Sequence, residues 1–309
     1  MAPDFTLRAP RADEVEAIAA LVNELARALH GVDAVEPDEV RKWFSGPSVA
    51  PEHDFRVAEL ADGTLAGLGS VVDIAEDHAI LWLRVVLHPL HGTTEIGEAL
   101  MDAADARAHE LGGPGSLVHA QCAGKDERAA KLYGRWGYRL VRHVFRMQVE
   151  LDAPQPPAWP EGFELRPLDV ERDLERVFEA DEEAFADHWG FARISFEAWR
   201  HWMTGGNFDP ALWFLAYCGE EIAGFSLCQP QEAGDPDLGW VGVLGVRRPW
   251  RRRGLASALL QHSFVELHSR GRKRAGLSVD AENTTGALGL YERAGMRVVR
   301  RFDTWEKAL

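Results

Sequence analysis

The sequence predicts a mixed α/β (α+β) chain in which one folding unit is written twice. Three observations carry this. Strand-like runs alternate with helical periodicity along the whole chain, the order of elements repeats, and a proline-rich stretch separates the copies. The repeat can be measured. Leu7-Arg8 recurs as Leu165-Arg166, Leu132-Tyr133 as Leu290-Tyr291 and Gly137 as Gly295, each at an offset of 158. Ala66-Gly67 matches Ala223-Gly224 at 157, and Pro89 matches Pro249 at 160. Chance similarity does not hold its offset from one end of a chain to the other. The expected division is a first domain over 1–150, a stiff linker over 151–160 and a second domain over 161–309.

Element by element, Phe5–Arg8 reads as a strand. Residues 13–29 set Val15, Ile18, Leu21, Val22 and Leu25 on one face of an amphipathic helix. Pro37 opens a short helix that runs through Trp43 and ends at Gly46. Residues 55–59 and 65–74 form a hairpin around Asp62-Gly63. A strand at 79–87, a helix at 94–111, a strand at 116–121, a helix ending near Trp136 and two strand-like runs complete the copy. In the second copy, the Gly-spaced apolar run 238–246 reads as a buried strand, with a helix starting near Gly254. Residues 277–280 form another strand. A final helix follows, with Asn283 as N-cap and Gly295 closing it.

Composition excludes several classes. With 46% hydrophobic and 27% charged residues, the 309-residue chain is ordinary for a globular protein. A formal net charge of −15 opposes nonspecific attraction to nucleic acid or an anionic membrane, and suits a cationic substrate. Cys122, Cys218 and Cys228 contain no C-x-x-C pair, so neither a disulfide framework nor a zinc site is expected, and no other metal. No signal peptide and no apolar run of bilayer length is present, which points to a cytoplasmic protein, monomer or homodimer.

Chemistry concentrates after the strand 238–246. The loop Arg247-Arg248-Pro249-Trp250-Arg251-Arg252-Arg253-Gly254-Leu255-Ala256 joins that strand to a helix N-terminus. Free backbone N–H groups there suit an anion, the small residues Gly254 and Ala256 let it approach the main chain, and guanidinium forks match phosphate oxygens. No Lys-Ser/Thr pair follows the glycine and no three-glycine fingerprint is present, which sets aside the P-loop and dinucleotide patterns.

Arg251-x-x-Gly254-x-Ala256, with Val246 and Pro249 ahead of it, resembles the acetyl-CoA signature of the GNAT (GCN5-related) N-acetyltransferases. Asn283, Ala287, Leu290-Tyr291 and Gly295 look like the second element of that family, although the interval from Asn283 to Tyr291 is one residue longer than in the commonest members. The resemblance spans nearly the whole chain. It implies two tandem GNAT-like domains, each a mixed, mostly antiparallel sheet flanked by helices. It further implies that Arg251, Arg252, Arg253, Gly254, Leu255 and Ala256 hold the CoA pyrophosphate, that Leu244 and Val246 line its pantetheine arm, and that Asn283 helps to hold it. Tyr291 would act as the acid that protonates the departing thiolate. No base is fixed by motif. Glu179, Asp181, Glu182, Glu183, Asp187 and His188 cluster where the family places its acceptor, with Glu183, Asp187 and His188 as the substrate residues expected. Trp189, Phe191, Trp199 and Trp202 shape a pocket there or belong to the core.

The copies differ at the loop. Against Arg251–Ala256 the first copy offers His91-Gly92-Thr93-Thr94-Glu95-Ile96-Gly97, with no arginine and with Glu95 where a pyrophosphate would sit. The first copy is therefore expected to be degenerate. The expected activity is acetyl transfer from acetyl-CoA to a primary amine of a small molecule or peptide, by direct attack. Two alternatives stand beside it: a non-catalytic acetyl-CoA sensor, and an RNA-binding module using the arginines around Trp250.

Overall fold

The computed structural model describes residues 4–73, 75, 77–283 and 285–309. The first copy runs β1 (Phe5–Arg8), α1 (Val15–His30), α2 (Pro37–Phe44), α3 (Pro51–Asp54), β2 (Phe55–Leu60), β3 (Leu65–Asp73), β4 (Ile80–Leu87), α4 (Thr94–Leu111), β5 (Leu117–Ala123), α5 (Glu127–Arg135) and β6 (Arg139–Glu150). The second runs β7 (Glu164–Pro167), α6 (Val170–Phe185), α7 (Phe196–Thr204), β8 (Trp213–Cys218), β9 (Glu221–Gln229), β10 (Leu238–Val246), α8 (Leu255–Ser269), β11 (Arg274–Asp280), α9 (Ala287–Arg293) and β12 (Arg297–Ala308). Pro37 sits in the first turn of α2, where its missing N–H costs nothing. Asp62 accepts from the Thr64 N–H and closes the β2–β3 hairpin. Ile74, the last residue of the predicted strand 65–74, lies outside the described residues.

Two expectations change. The two strand-like runs at the end of the first copy are one strand, β6. Asn283 is not the N-cap of the last helix: α9 starts later, after Gly286 at φ 84°, and Thr284 lies outside the described residues. The Asn283 carboxamide oxygen instead accepts from the Thr285 N–H at 2.8 Å and the Ala287 N–H at 3.4 Å. Its short side chain closes a local turn ahead of the helix, a competition that Asn commonly wins.

The contacts divide the chain into two compact units. One contains the chain up to His143 together with Ala192–His201 and Arg301–Leu309; the other contains Val144–Phe191 and Trp202–Arg300. Each copy thus gives up part of its last strand. In the first unit β1, β2, β3 and β4 pair antiparallel, β4 and β5 pair parallel, and β5 is closed by the end of β12, from Phe302 to Ala308. In the second, β7, β8, β9 and β10 pair antiparallel, β10 and β11 parallel, and β11 is closed by Val144–Glu150 of β6. The division of the sequence at 150 and 161 does not contain this exchange. Both strands alternate similarly and occupy equivalent places, so periodicity alone does not say which sheet each joins.

Each unit buries a helix on one face of its sheet. Ile96, Leu100 and Met101 of α4 pack on Ala66, Leu81 and Leu83; Leu259, Leu260, Phe264 and Leu267 of α8 pack on Val241, Ala275 and Leu277. Full burial of such a side chain contributes about 1.5–3 kcal/mol. Gly276 has a structural reason: a Cβ there would meet the Trp240 ring at 2.7 Å.

Candidate active site

The site begins where two strands part. β10 and β11 are paired in parallel only over Leu238–Trp240 and Arg274–Gly276. Beyond Trp240 the register of β10 against β9 shifts between Val241 and Val243, which makes Gly242 the extra residue of a β-bulge. Bulges re-aim the backbone that follows them. The C-terminal ends of β10 and β11 also part, leaving the inner edge of β10, residues Val243–Val246, unpaired on the β11 side. β4 in the first unit also separates from β5 after Leu83, but it runs against β3 from Leu81 to Leu87 without a shift.

Past β10 the chain makes a 3-10 turn at Arg248–Trp250 and then enters the left-handed region twice, at Arg252 (φ 62°) and Gly254 (φ 86°). Left-handed residues of this kind are the ones from which anion-binding nests are built. Gly254 is the N-cap of α8 and brings no side chain to its orphan N–H groups, so the positive end of the helix stays open. The three predicted arginines separate in role. Arg252 and Arg253 are exposed and, among the described residues, form no ion pair. Arg251 is turned inward, its Nε donating to the Val246 carbonyl at 3.0 Å and a second nitrogen to the Ala184 carbonyl at 2.9 Å. Leu255 is buried in the second core, whereas Leu244 and Val246 pack only partly against it. Ala256 is half-buried on the first turn of α8.

The equivalent turn of the first unit is closed by its own groups. Thr93 caps α4 by accepting from the Ile96 N–H. His88 Nδ1 accepts from the N–H groups of Leu90 and His91, and Arg128 donates to the carbonyls of Pro89 and Gly92. Donors that no side chain caps in one copy are taken up internally in the other.

Tyr291, on α9, is 7% exposed, and burial pushes its hydroxyl up to about 12. Among the described residues that hydroxyl makes no hydrogen bond. Its counterpart Tyr133 is fully buried against Tyr138 and Trp305, and desolvation drives its pKa far above the ordinary range.

The acceptor candidates sort by their partners. Glu183 accepts from Arg247 Nε at 2.6 Å, and Asp187 pairs with Arg248 and lies 3.8 Å from Arg251. Both carboxylates balance the loop arginines. His188 is half-buried edge-on to Phe185 at 4.6 Å, and burial, then the charge of Arg251, lower its pKa, with Asp280 and Asp187 opposing. Asp280, at the C-terminal end of β11, was not singled out from the sequence. Its position at the end of a parallel-paired strand, where α/β sheets bind ligands, is the signal that marks it. Trp199 is 3% exposed and belongs to a core, while Trp189 is 39% exposed.

The sequence pattern of the acetyltransferase (GNAT) family matches residues 173–296. Mycothiol acetyltransferase of Salinispora arenicola is 32% identical over 284 residues, which cover 88% of this chain and 87% of that protein. The crystal structure of a GCN5-related N-acetyltransferase from Sphaerobacter thermophilus superposes with a TM-score of 0.79 at 32% identity, covering 100% of this chain and 97% of that one. This chain belongs to the GNAT family. It is an N-acetyltransferase, and members of the family act with acetyl-CoA and an acceptor. A tandem GNAT protein from the clavulanic acid biosynthesis pathway, at 16% identity and a TM-score of 0.76 over 99% of this chain, shares the two-copy fold. Among the described residues of this acetyltransferase, no helix is long and apolar enough to cross a membrane.

Proposed function

We propose that this acetyltransferase moves an acetyl group from acetyl-CoA to a primary amine of a small molecule or peptide, and that the second unit alone does so. The observation that carries this reading is the contrast between the two helix N-termini: α8 is open, behind a bulged strand, while α4 is capped and its loop is cross-braced. The residues fit the CoA group. Exposed Arg252 and Arg253 and the N–H groups around Gly254 would hold the pyrophosphate; Leu244, Val246 and Asn283 would line the arm; Arg251 acts through the loop it ties down. Acetyl-CoA supplies the activated thioester.

The chain's own residues would do the rest. A backbone N–H of β10 next to the bulge is suited to polarise a carbonyl oxygen. With a pKa near 12, Tyr291 stays protonated and donates a hydrogen bond to a developing thiolate. His188, neutral at pH 7 and without a hydrogen-bond partner for its ring among the described residues, would accept the amine proton; Asp280 would steady the imidazolium. The test is CoA release across a panel of amines, beginning with the acceptors of the mycothiol acetyltransferases. Release dependent on an amine supports the reading; tight acetyl-CoA binding with no amine acetylated favours the sensor alternative.

A further inference from the structure

We propose that the acceptor carries an oxyanion, a carboxylate or a phosphate, and that Arg300 with Arg146 binds it beside Trp240. This rests on the acetyl-transfer reading above and names the class of acceptor. Arg146, on β6 opposite Ser278, lies over the Trp240 ring at 4.9 Å and donates to Glu232. Arg274 grips both oxygens of Asp235 at 3.0 Å. Arg300, on β12, is within electrostatic reach of all four groups. Three cations face two carboxylates, and each carboxylate is already engaged by another arginine.

Arg300 is half-buried and, among the described residues, makes no hydrogen bond or ion pair. A guanidinium has five N–H donors and no means of losing its charge, so partial burial without an acceptor is unfavourable. Desolvation and the neighbouring arginines accordingly push its pKa down. Structural arginines elsewhere in this unit do not behave so: Arg247, Arg248 and Arg274 each hold a carboxylate. The group also borders the reaction site. Trp240 is the last residue of β10 paired with β11, and the bulge at Gly242 follows directly. An amine held where the strands part would lay its other end beside the Arg146–Trp240 pair. The chain's net charge of −15 then favours the ammonium end, and the arginine group orients the anionic end.

The experiment compares matched acceptors with and without the anion: L-phenylalanine against phenethylamine, and O-phosphoethanolamine against ethanolamine. The wild type is expected to prefer the anionic member of a pair, the preferred pair telling carboxylate from phosphate. Arg300→Met should raise KM for that acceptor about 10- to 100-fold, the loss of charged hydrogen bonds. Turnover of the neutral amine and the acetyl-CoA affinity should stay unchanged, and Arg300→Lys should recover part of the loss. Equal use of both members by the wild type, or an equal effect of Arg300→Met on both, overturns the proposal. If acetyl-CoA binds and no amine is acetylated, the transfer reading fails by itself. Calorimetric titration of succinate and inorganic phosphate into the acetyl-CoA complex then decides the anion site: binding lost in Arg300→Met upholds it, and no binding to the wild type overturns it.

Discussion

Arg251 joins two elements that are far apart in the chain, hydrogen-bonding the Val246 carbonyl at the end of β10 and the Ala184 carbonyl on α6. Its charge is spent on holding the loop shape, unlike that of Arg252 and Arg253. Arg251→Met is expected to lower stability by about 1–2 kcal/mol and to weaken acetyl-CoA binding about tenfold, because the nest loses its tether. Arg252→Met and Arg253→Met should leave the melting temperature unchanged and weaken binding in a salt-dependent way. Thermal unfolding and calorimetry at two salt concentrations read both effects. Unchanged affinity in a folded Arg251→Met variant would remove the tether from the account.

Tyr291→Phe removes a hydroxyl that bonds to no described group, so stability and acetyl-CoA affinity should hold. The rate of the chemical step should fall about 10²–10⁴-fold, in kcat and kcat/KM alike. With its pKa near 12 and an ordinary thiol near 8.5, complete proton transfer from Tyr291 is uphill, and burial of the thiolate narrows that gap. The loss should therefore shrink with an acyl donor whose leaving thiol is more acidic. Unchanged turnover, measured where chemistry limits the rate, would assign Tyr291 to packing.

His188 is expected to set the acid side of the pH profile. Its folded pKa lies below the reference 6.5, so it stays neutral and able to accept a proton at pH 7. As pH falls below that value it becomes protonated, and kcat/KM should decline with it. His188→Gln should lower the rate at neutral pH and remove this acid limb. For stability the sign is the same: the unfolded chain binds the proton more readily, so this group's contribution is present above the unfolded pKa of 6.5 and is lost as pH falls through the folded pKa. An acid limb that survives in His188→Gln would shift the base to another group, Asp280 first.

Much of the architecture was legible because the repeat reports itself. Leu7, Tyr133 and Gly137 keep one offset from their partners, while Pro89 and Pro249 differ by two residues from it. One of those residues is now visible as Gly242, the bulge that β10 has and β4 lacks. The exchange of strand ends was not legible, since β6 and β12 carry patterns that suit either sheet. At the site, Gly254, Ala256 and Tyr291 stood out because a left-handed N-cap, a small first-turn residue and a buried phenol constrain residue type strongly. For Glu183 and Asp187 the sequence shows a carboxylate but not the loop arginine that folding pairs with it. Arg300 and Asp280 carry no motif; only folding sets Arg300 near Arg146, Arg274, Glu232 and Asp235, and Asp280 near His188.

The central claim is that one copy is open to acetyl-CoA and the other is closed by its own side chains. Calorimetric titration of the full chain with acetyl-CoA tests it most directly. One site per chain is predicted, abolished by Gly254→Glu, which adds a Cβ where φ is 86° and a negative charge at the open helix end, and kept in His91→Ala. Two equivalent sites, or a single site that survives Gly254→Glu, would contradict it.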